Sequence, residues 1–263
     1  MTQKVVSNFT PRPWQMEVYT NLSRFNTLVV HRRAGKTIFA VNMLIKWAAE
    51  KRGLYGYIAS SMSDSIDLAW EPLIEYSEGL IANVNVARRE IILVNGSKIK
   101  LYSYHKEEKL LGRGFSGVIV DETQKMPARV WEEILLPTFL GTEGKVIFIG
   151  TPRGENFFYQ LYCKGQDENK DNWFSQVYTV EDTGFVNLEE YKDLTQDQHP
   201  AKNQQEFWCS FSAAVIGAYY ADTIESLEKD GQIKDLEWDP NLLVYTSWDL
   251  GINDPTCVWF WQE

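Results

Sequence analysis

An apolar run that breaks into a basic, glycine-containing turn constrains the fold of this chain most. The stretch reads Thr27-Leu28-Val29-Val30-His31-Arg32-Arg33-Ala34-Gly35-Lys36-Thr37. When a buried strand ends in such a turn and a helix follows, consecutive backbone N–H groups and the positive end of the helix face one concavity. The stretch therefore predicts a phosphate-binding loop, in which the backbone amides of Arg33, Ala34 and Gly35 surround a polyphosphate.

Two side chains that follow the glycine have roles in such a loop. Lys36 is placed to reach the β- and γ-phosphates, and Thr37 is placed to hold Mg²⁺ through its hydroxyl. The usual spacing also has a glycine five residues before Gly35, where this chain has Val30. A strand-to-helix turn with a solvated lysine is therefore an alternative, and the choice depends on the rest of the chain.

Two later apolar runs end in polar residues of the kind that a nucleotide site needs. Residues 118–120 precede Asp121, which can orient the waters of a Mg²⁺, and Glu122, which can take a proton from an attacking water. A further run, residues 145–150, ends in Thr151. Because the carboxyl ends of parallel strands share one edge of a sheet, we expect these groups to lie beside the loop.

The remaining patterns complete an α/β arrangement. Apolar residues at helical spacing predict a helix that follows the loop and stops at Gly53, and another helix over residues 63–80, with a buried strand over 54–60 between them. Residues 90–94 and 98–102 are rich in β-formers and are joined through Asn95-Gly96, which predicts a hairpin. We therefore expect a mainly parallel central sheet flanked by helices.

A glutamine upstream of the loop is a candidate for base recognition. Gln15 lies in the first turn of a predicted helix that follows Pro11-Arg12-Pro13. A glutamine amide can both accept from and donate to the edge of an adenine. The alternative is a proline-stiffened entry segment with no ligand.

Net charge, apolar runs and cysteine spacing limit which partners and which compartment are expected. The net charge of −10 excludes a whole-surface attraction to nucleic acid, so any contact with DNA must be local. No apolar run approaches the length of a membrane span, and no signal-peptide core follows Met-Thr-Gln-Lys. Cys163, Cys209 and Cys257 lack paired or metal-ligand spacing, which favours a reducing cytoplasm.

The chain resembles the ATPase domain of tailed-bacteriophage large terminase subunits, the motors that package DNA into procapsids. The resemblance covers most of the chain and rests on residues 32–37, residues 118–122, Gly150-Thr151-Pro152 and Ala69-Trp70-x-Pro72-Leu73. It implies a P-loop nucleoside-triphosphatase fold. The replacement of the first loop glycine is similar to a variation that the family itself has.

The resemblance also implies roles for two arginines and a threonine. Arg32 matches an arginine that senses the γ-phosphate within its own subunit, and Thr151 would report the γ-phosphate to the rest of the domain. Arg113, in Leu111-Gly112-Arg113-Gly114, matches an arginine thought to reach the ATP of a neighbouring subunit. A solvated loop charge is the alternative for Arg113.

Three divisions of the chain follow from the resemblance. They are an ATPase core over residues 1–152, a small helical linker subdomain over 153–240, and an incomplete ribonuclease-H-like start over 241–263. Residues 211–220 resemble the junction before the nuclease domain. Asp249 would then be the first of several carboxylates that hold two divalent metals, the others belonging to a longer chain. An aspartate at a strand bend is the alternative.

Together with the motifs, the resemblance implies a motor subunit of the host cytoplasm that hydrolyses ATP with Mg²⁺ to move double-stranded viral DNA into procapsids. The expected partners are DNA, a portal protein, a small terminase subunit and further copies of the chain in a ring, with no membrane. DNA cleavage is expected only of a longer chain. The alternatives are a helicase-type ATPase, which needs a second sheet domain, and a nucleotide-binding scaffold without turnover, in which Glu122 has no use.

Overall fold

The computed structural model describes residues 8–196, 198–212, 223–224, 226–227, 230–251 and 256–263. The chain divides into two compact units, Met1–Ala218 and Tyr219–Glu263. The predicted junction over residues 211–220 lies mostly outside the described residues.

The first unit alternates strands and helices along most of its length. Its elements are α1 Pro13–Asn21, β1 Phe25–Val30, α2 Lys36–Glu50, β2 Leu54–Ala59, α3 Met62–Tyr76, β3 Ile81–Asn85, β4 Glu90–Leu93, β5 Lys98–Ser103, β6 Phe115–Val120, a π-helical segment Val130–Leu135 that runs into α4 Leu136–Thr138, β7 Lys145–Gly150, α5 Phe157–Gln166, β8 Trp173–Tyr178, α6 Val180–Thr183, α7 Leu188–Thr195 and α8 Pro200–Glu206.

The described strands of this unit form one sheet in the order β3-β4-β5-β2-β6-β7-β1-β8. The pairs from β5 across to β8 are parallel, whereas β3/β4 and β4/β5 are antiparallel. The predicted mainly parallel sheet is therefore confirmed. The predicted hairpin is present as β4 and β5, and β5 also extends the parallel sheet by pairing with β2.

The two faces of the sheet bury two apolar clusters. All six residues of β1 are buried, as expected for a central parallel strand. Because successive side chains point to opposite faces, Leu28 and Val30 join the cluster formed with α2 and α3, and Val29 joins the cluster with Trp131 and Phe158. Helices thus cover both faces, and polar ligand-binding groups are confined to the edges.

The structure has a strand, β8, in the segment beyond Arg153 that was predicted to be helical. Trp173–Tyr178 pairs in parallel with β1 along its whole length, so the sheet continues into the segment predicted as a helical linker. Its sequence mixes apolar residues with polar ones such as Ser175 and Gln176. Only two of its side chains are fully buried, because β8 is an edge strand. The boundaries of the three predicted divisions stay a prediction.

The second unit contains a β-hairpin. Strands β9 Val244–Asp249 and β10 Cys257–Gln262 pair antiparallel, with Asp249 opposite Cys257. The hairpin lies where the incomplete ribonuclease-H-like start is predicted, but it does not establish such a fold. None of the helices among the described residues of either unit has the length and apolar character to cross a bilayer.

Candidate active site

Three neighbouring strands carry the predicted site residues at one edge of the sheet. Strands β6, β7 and β1 are adjacent in that order, and their carboxyl ends lead to Asp121, Thr151 and the loop before Lys36. The Nζ of Lys36 donates to Oγ1 of Thr151 at 3.0 Å, and Oγ1 of Thr37 donates to the Oδ2 of Asp121 at 3.1 Å. The structure therefore brings together residues that stand far apart in the sequence.

The loop between β1 and α2 has the backbone of a phosphate-binding turn. Arg33 and Gly35 both adopt positive φ angles, 66° and 84°. At Gly35 a Cβ would lie 3.1 Å from Nη1 of Arg12, so both the φ angle and the space favour glycine. Arg12 also donates to the carbonyl of Ala34 at 2.7 Å, which braces the loop against the start of α1.

Lys36 supplies a positive charge at the end of the loop. Burial lowers the pKa of its ammonium group from the ordinary value, although the charge of Asp121 opposes this change. Its bond to Thr151 is backed by a second bond, in which Oγ1 of Thr151 donates to the carbonyl of Val30 at 3.0 Å. Within the described residues, this half-buried cation hydrogen-bonds to a hydroxyl and forms no ion pair, so it suits an anionic ligand, since a phosphate would supply the missing negative charge.

Asp121 is buried and is held by three neutral donors. In addition to Thr37, Oη of Tyr57 donates to Oδ2 at 2.5 Å, and the backbone N–H of Glu122 donates to Oδ1 at 2.8 Å. Burial, followed by the charge of Asp121, raises the pKa of the Tyr57 phenol well above its ordinary value. Sequence reasoning missed Tyr57, because nothing in its strand sets it apart from a core aromatic.

The chemistry of these groups fits a magnesium ion. The Thr37 hydroxyl and the Asp121 carboxylate meet at one point, and both are hard oxygen donors of the kind that Mg²⁺ prefers with phosphate oxygens and water. Glu122 follows directly at a φ of 52°, a left-handed backbone conformation that L-residues rarely adopt. Such local strain is commonly found at functional positions.

Glu122 faces an open cleft and is paired with Lys125. The Nζ of Lys125 lies 2.8 Å from Oε2 of Glu122, in a short turn after β6. The cleft has a volume of about 380 Å³ and is lined by Lys36, Glu122 and Thr151 together with Arg32. Lys125 was not foreseen from the sequence, since a lysine three residues after an acid is common on any surface.

Arg32 joins the loop to helix α8. Its Nη2 lies 3.2 Å from Oε1 of Glu206, and its backbone N–H donates to the Glu206 carbonyl at 3.1 Å. The pair with Glu206 engages one of the guanidinium nitrogens, and the group has five N–H donors in all. No sequence signal linked Glu206 with the loop.

The amide of Gln15 is close to the loop and already has two partners. Its Oε1 accepts from the N–H of Arg12 at 2.8 Å, and its Nε2 donates to the carbonyl of Gly35 at 3.2 Å. Each amide atom retains one more hydrogen-bonding position, so contact with a base is compatible with these bonds. The guanidinium of Arg12 stacks on the ring of Phe185, 3.5 Å from its centroid.

Arg113 is not brought to this cleft. Its Nε donates to the carbonyl of Lys109 at 2.7 Å, and its guanidinium lies 5.7 Å from the ring centroid of Tyr102. Arg113 precedes the amino end of β6, whereas Asp121 follows the carboxyl end. At about 3.3 Å per strand residue, roughly 20 Å of backbone separates the two. Arg113 is not among the residues that line the cleft.

Asp249 lies in the second unit as the exposed last residue of β9. Across the described parts of both units, no group of three or more histidine, cysteine, aspartate or glutamate side chains is placed to hold a metal. The role predicted for Asp249 therefore stays a prediction.

Comparison with known proteins establishes the family. The model of the family "Terminase large subunit, T4likevirus-type, N-terminal" matches residues 32–227, well over half of the sequence. The chain belongs to this family, and the predicted resemblance is confirmed. The match includes the loop and the two later strand ends, whereas Gln15 and Asp249 lie outside it.

Two curated relatives agree with this assignment. The large terminase subunit of Escherichia phage T5 is 27% identical over 248 residues, which cover 89% of this chain and 55% of the relative. The large terminase subunit of Thermus phage G20c is 23% identical over 178 residues, covering 60% of this chain and 37% of the relative. The chain thus spans about half the length of the T5 protein.

Solved structures agree in fold. The large terminase ATPase domain of Thermus phage P74-26 superposes with a TM-score of 0.68 at 19% identity, covering 77% of this chain and 94% of that domain. The large terminase from a thermophilic bacteriophage, solved in complex with ADP, gives a TM-score of 0.66 at 16% identity, covering 96% of this chain and 65% of that one. At these identities the likeness shows the shared fold.

Proposed function

We propose that this chain is the ATP-hydrolysing motor part of a large terminase subunit, which moves double-stranded DNA into a viral procapsid in the host cytoplasm. The observation that carries the proposal is a pair of contacts at one edge of the sheet. Lys36 donates to Thr151 in the cleft that Glu122 also lines, and Thr37 donates to Asp121, the residue before Glu122. Membership of the terminase family supports it. So does the fold shared with a terminase that was solved with ADP and with ATP-γ-S.

The residues divide the work of hydrolysis by their chemistry. The ammonium of Lys36 and the amides of residues 33–35 bind the phosphates, and Thr37 and Asp121 hold Mg²⁺, which neutralises charge on the phosphate oxygens when bound. The carboxylate of Glu122 polarises the attacking water and accepts its proton. Gln15 contacts the adenine, and the Thr151 hydroxyl turns its proton from the carbonyl of Val30 to the γ-phosphate.

Arg113 fits a role between subunits better than one within its own. Its distance from Asp121 and its exposure agree with a guanidinium that reaches the ATP of a neighbouring copy in a ring. Such an arginine contributes on the order of 10³–10⁵ in rate in related nucleotidases. Mixing Arg113→Ala subunits with Lys36→Ala subunits should restore part of the turnover lost in each alone, when portal and DNA allow assembly. If the mixture recovers nothing, the role across subunits is wrong.

The helicase alternative is less well supported. Among the described residues, the strands outside the main sheet are β9 and β10, an antiparallel hairpin and not the second sheet domain that a helicase core needs. The proposed protein partners of this motor are a portal protein and a small terminase subunit. Cutting of DNA is expected of a longer chain that supplies carboxylates beside Asp249.

Steady-state phosphate release separates a motor from a nucleotide-binding scaffold. The parent chain should release phosphate from ATP in the presence of Mg²⁺, and a Lys36→Ala variant should not, because it lacks the ammonium group that holds the phosphates. A matched control is Lys46→Ala, which removes a partly exposed lysine of the same helix that is paired with Glu50. Tight ATP binding by the parent without any turnover would favour the scaffold.

A further inference from the structure

A tyrosine outside the predicted motifs donates a hydrogen bond to the buried carboxylate of the site. Tyr57 lies in β2 and is fully buried, and its Oη donates to Oδ2 of Asp121 at 2.5 Å. Thr37 donates to the same oxygen at 3.1 Å. The other carboxylate oxygen accepts from the N–H of Glu122. Both oxygens of Asp121 are therefore oriented by groups of the chain before any ligand arrives.

The position of Tyr57 relative to Asp121 is set by the sheet itself. Strands β2 and β6 pair in parallel, with Tyr57 opposite Ile119 and Ile58 opposite Val120. The backbone N–H of Asp121 then donates to the carbonyl of Ile58 at 2.9 Å, which continues the ladder by one residue. The backbone and the carboxylate of Asp121 are thus both anchored to β2, and the phenol has little freedom to move away.

The chemical type of these donors matters as much as their number. Thr37, Tyr57 and the Glu122 amide are neutral, and within the described residues no lysine or arginine forms an ion pair with Asp121. A bound cation would compete with a divalent metal for the carboxylate charge, whereas a phenol orients the carboxylate and leaves that charge in place. When the hydroxyl of Thr37 ligates a metal, the bond from Tyr57 still fixes Oδ2.

We propose that Tyr57 is a positioning residue for the metal site, which keeps the Asp121 carboxylate aimed at the magnesium and its waters. The proposal rests on the proposed function, because it assigns a partner to the carboxylate that serves Mg²⁺ there. Outer partners of metal ligands typically change metal affinity by about 10–100-fold when removed. The expected effect of losing the phenol is therefore on metal dependence, not on contact with the phosphates.

The test compares two single-oxygen deletions in one strand. Tyr57→Phe removes the hydroxyl beside Asp121. Tyr55→Phe is the matched control, because Tyr55 is equally buried in β2 but donates to the carbonyl of Lys51 at the other end of the strand. Both variants are titrated with ATP in EDTA and then with Mg²⁺ at saturating ATP, with ATP binding and phosphate release as separate readouts. Thermal unfolding is measured in parallel.

Tyr57→Phe should bind ATP in EDTA as the parent does and should need about tenfold more Mg²⁺ for half-maximal turnover and for the metal-dependent gain in ATP affinity. Tyr55→Phe should leave both Mg²⁺ midpoints unchanged. In an Asp121→Asn background, Tyr57→Phe should have no further effect on metal dependence, because the carboxylate through which it acts is gone.

Equal Mg²⁺ midpoints for the two phenylalanine variants would overturn the proposal. Unfolding of Tyr57→Phe at a temperature at which Tyr55→Phe stays folded would make the phenol a folding contact and would also overturn it. Failure of the proposed function gives a different result, since a parent chain that neither binds nor hydrolyses ATP shows no metal midpoint to shift.

Discussion

Two aspartates in this chain follow the same kind of sequence and have opposite surroundings. Asp121 comes directly after the apolar strand β6, and Asp249 is the last residue of the β-rich strand β9. Asp121 is 1% exposed and accepts three hydrogen bonds, because β6 lies inside a sheet with β2 on one side and β7 on the other. Asp249 is exposed in a two-stranded hairpin. An acid at a strand end becomes a prepared site only where the surrounding fold supplies its partners, as β2 supplies Tyr57 and α2 supplies Thr37.

Exchanging each acid for its amide should produce the largest difference between the two regions. Asp121→Asn should lower ATP turnover by on the order of 10²–10³, because the charge that serves Mg²⁺ is lost and a metal contributes several kcal/mol to such transition states. Asp249→Asn should leave ATP turnover within about twofold of the parent. Phosphate release at saturating ATP and Mg²⁺ measures both. A comparable loss in the two variants would remove the distinction between the regions.

Lowering the pH should destabilise the buried sheet edge, where Asp121 lies, more than the exposed hairpin that carries Asp249. His31 follows β1, is buried, and contacts Oγ1 of Thr183 through Nε2 at 2.6 Å. Burial is the main cause that lowers its pKa from 6.5 to about 4. Since the unfolded chain binds this proton more readily, the contribution is fully present above pH 6.5 and is lost as the pH falls toward 4. The loss should be about 2–3 kcal/mol of the free energy of unfolding.

Urea unfolding at pH 7 and pH 4 of the parent and of His31→Gln measures this contribution. Carboxylates elsewhere titrate equally in both proteins, so only the difference between them reports on His31. On going from pH 7 to pH 4, the free energy of unfolding should fall by about 2–3 kcal/mol more in the parent than in His31→Gln. A difference that stays constant with pH would show that His31 is not held neutral by burial.

The ion pair between Glu122 and Lys125 should have the smallest effect. Lys125→Met keeps much of the apolar stem and removes the charge at 2.8 Å from Oε2. The pair is partly exposed, so its contribution is modest, and the freed carboxylate should change turnover by about two- to fivefold. Lys170→Met is the matched control, since Lys170 also pairs with an acid three residues away, Asp167, far from the strand ends of the site. Equal turnover in the two variants would exclude an influence of Lys125 on the base.

The sequence predicted the central strands that form nearly continuous apolar runs. Strand β7 was predicted at Lys145–Gly150, as observed, because a central parallel strand is buried on both faces and reads as a continuous apolar run. Strand β8 was missed because an edge strand buries only part of its side chains. Its strand character depends on pairing with β1, which no local pattern reveals.

The site was predictable to the extent that each residue carries its own chemical signal. Lys36, Thr37, Asp121 and Thr151 were expected at one sheet edge, and the structure brings them there as two hydrogen-bonded pairs, Lys36 with Thr151 and Thr37 with Asp121. Their partners were not predictable, because Tyr57 and Glu206 meet the site only through strand order and through the return of the chain in α8. A buried tyrosine and a helix-terminal glutamate are ordinary in sequence. Only tertiary contacts give them a role.

The most direct test of the account separates ATP binding from hydrolysis at Glu122. Glu122→Gln keeps the shape of the side chain and the backbone N–H that holds Asp121, and removes the carboxylate that accepts the proton. ATP titration with Mg²⁺ should give an affinity close to that of the parent, while phosphate release should fall by about 10²–10⁴-fold, the usual contribution of a general base. Turnover by Glu122→Gln near the parent rate would contradict the account.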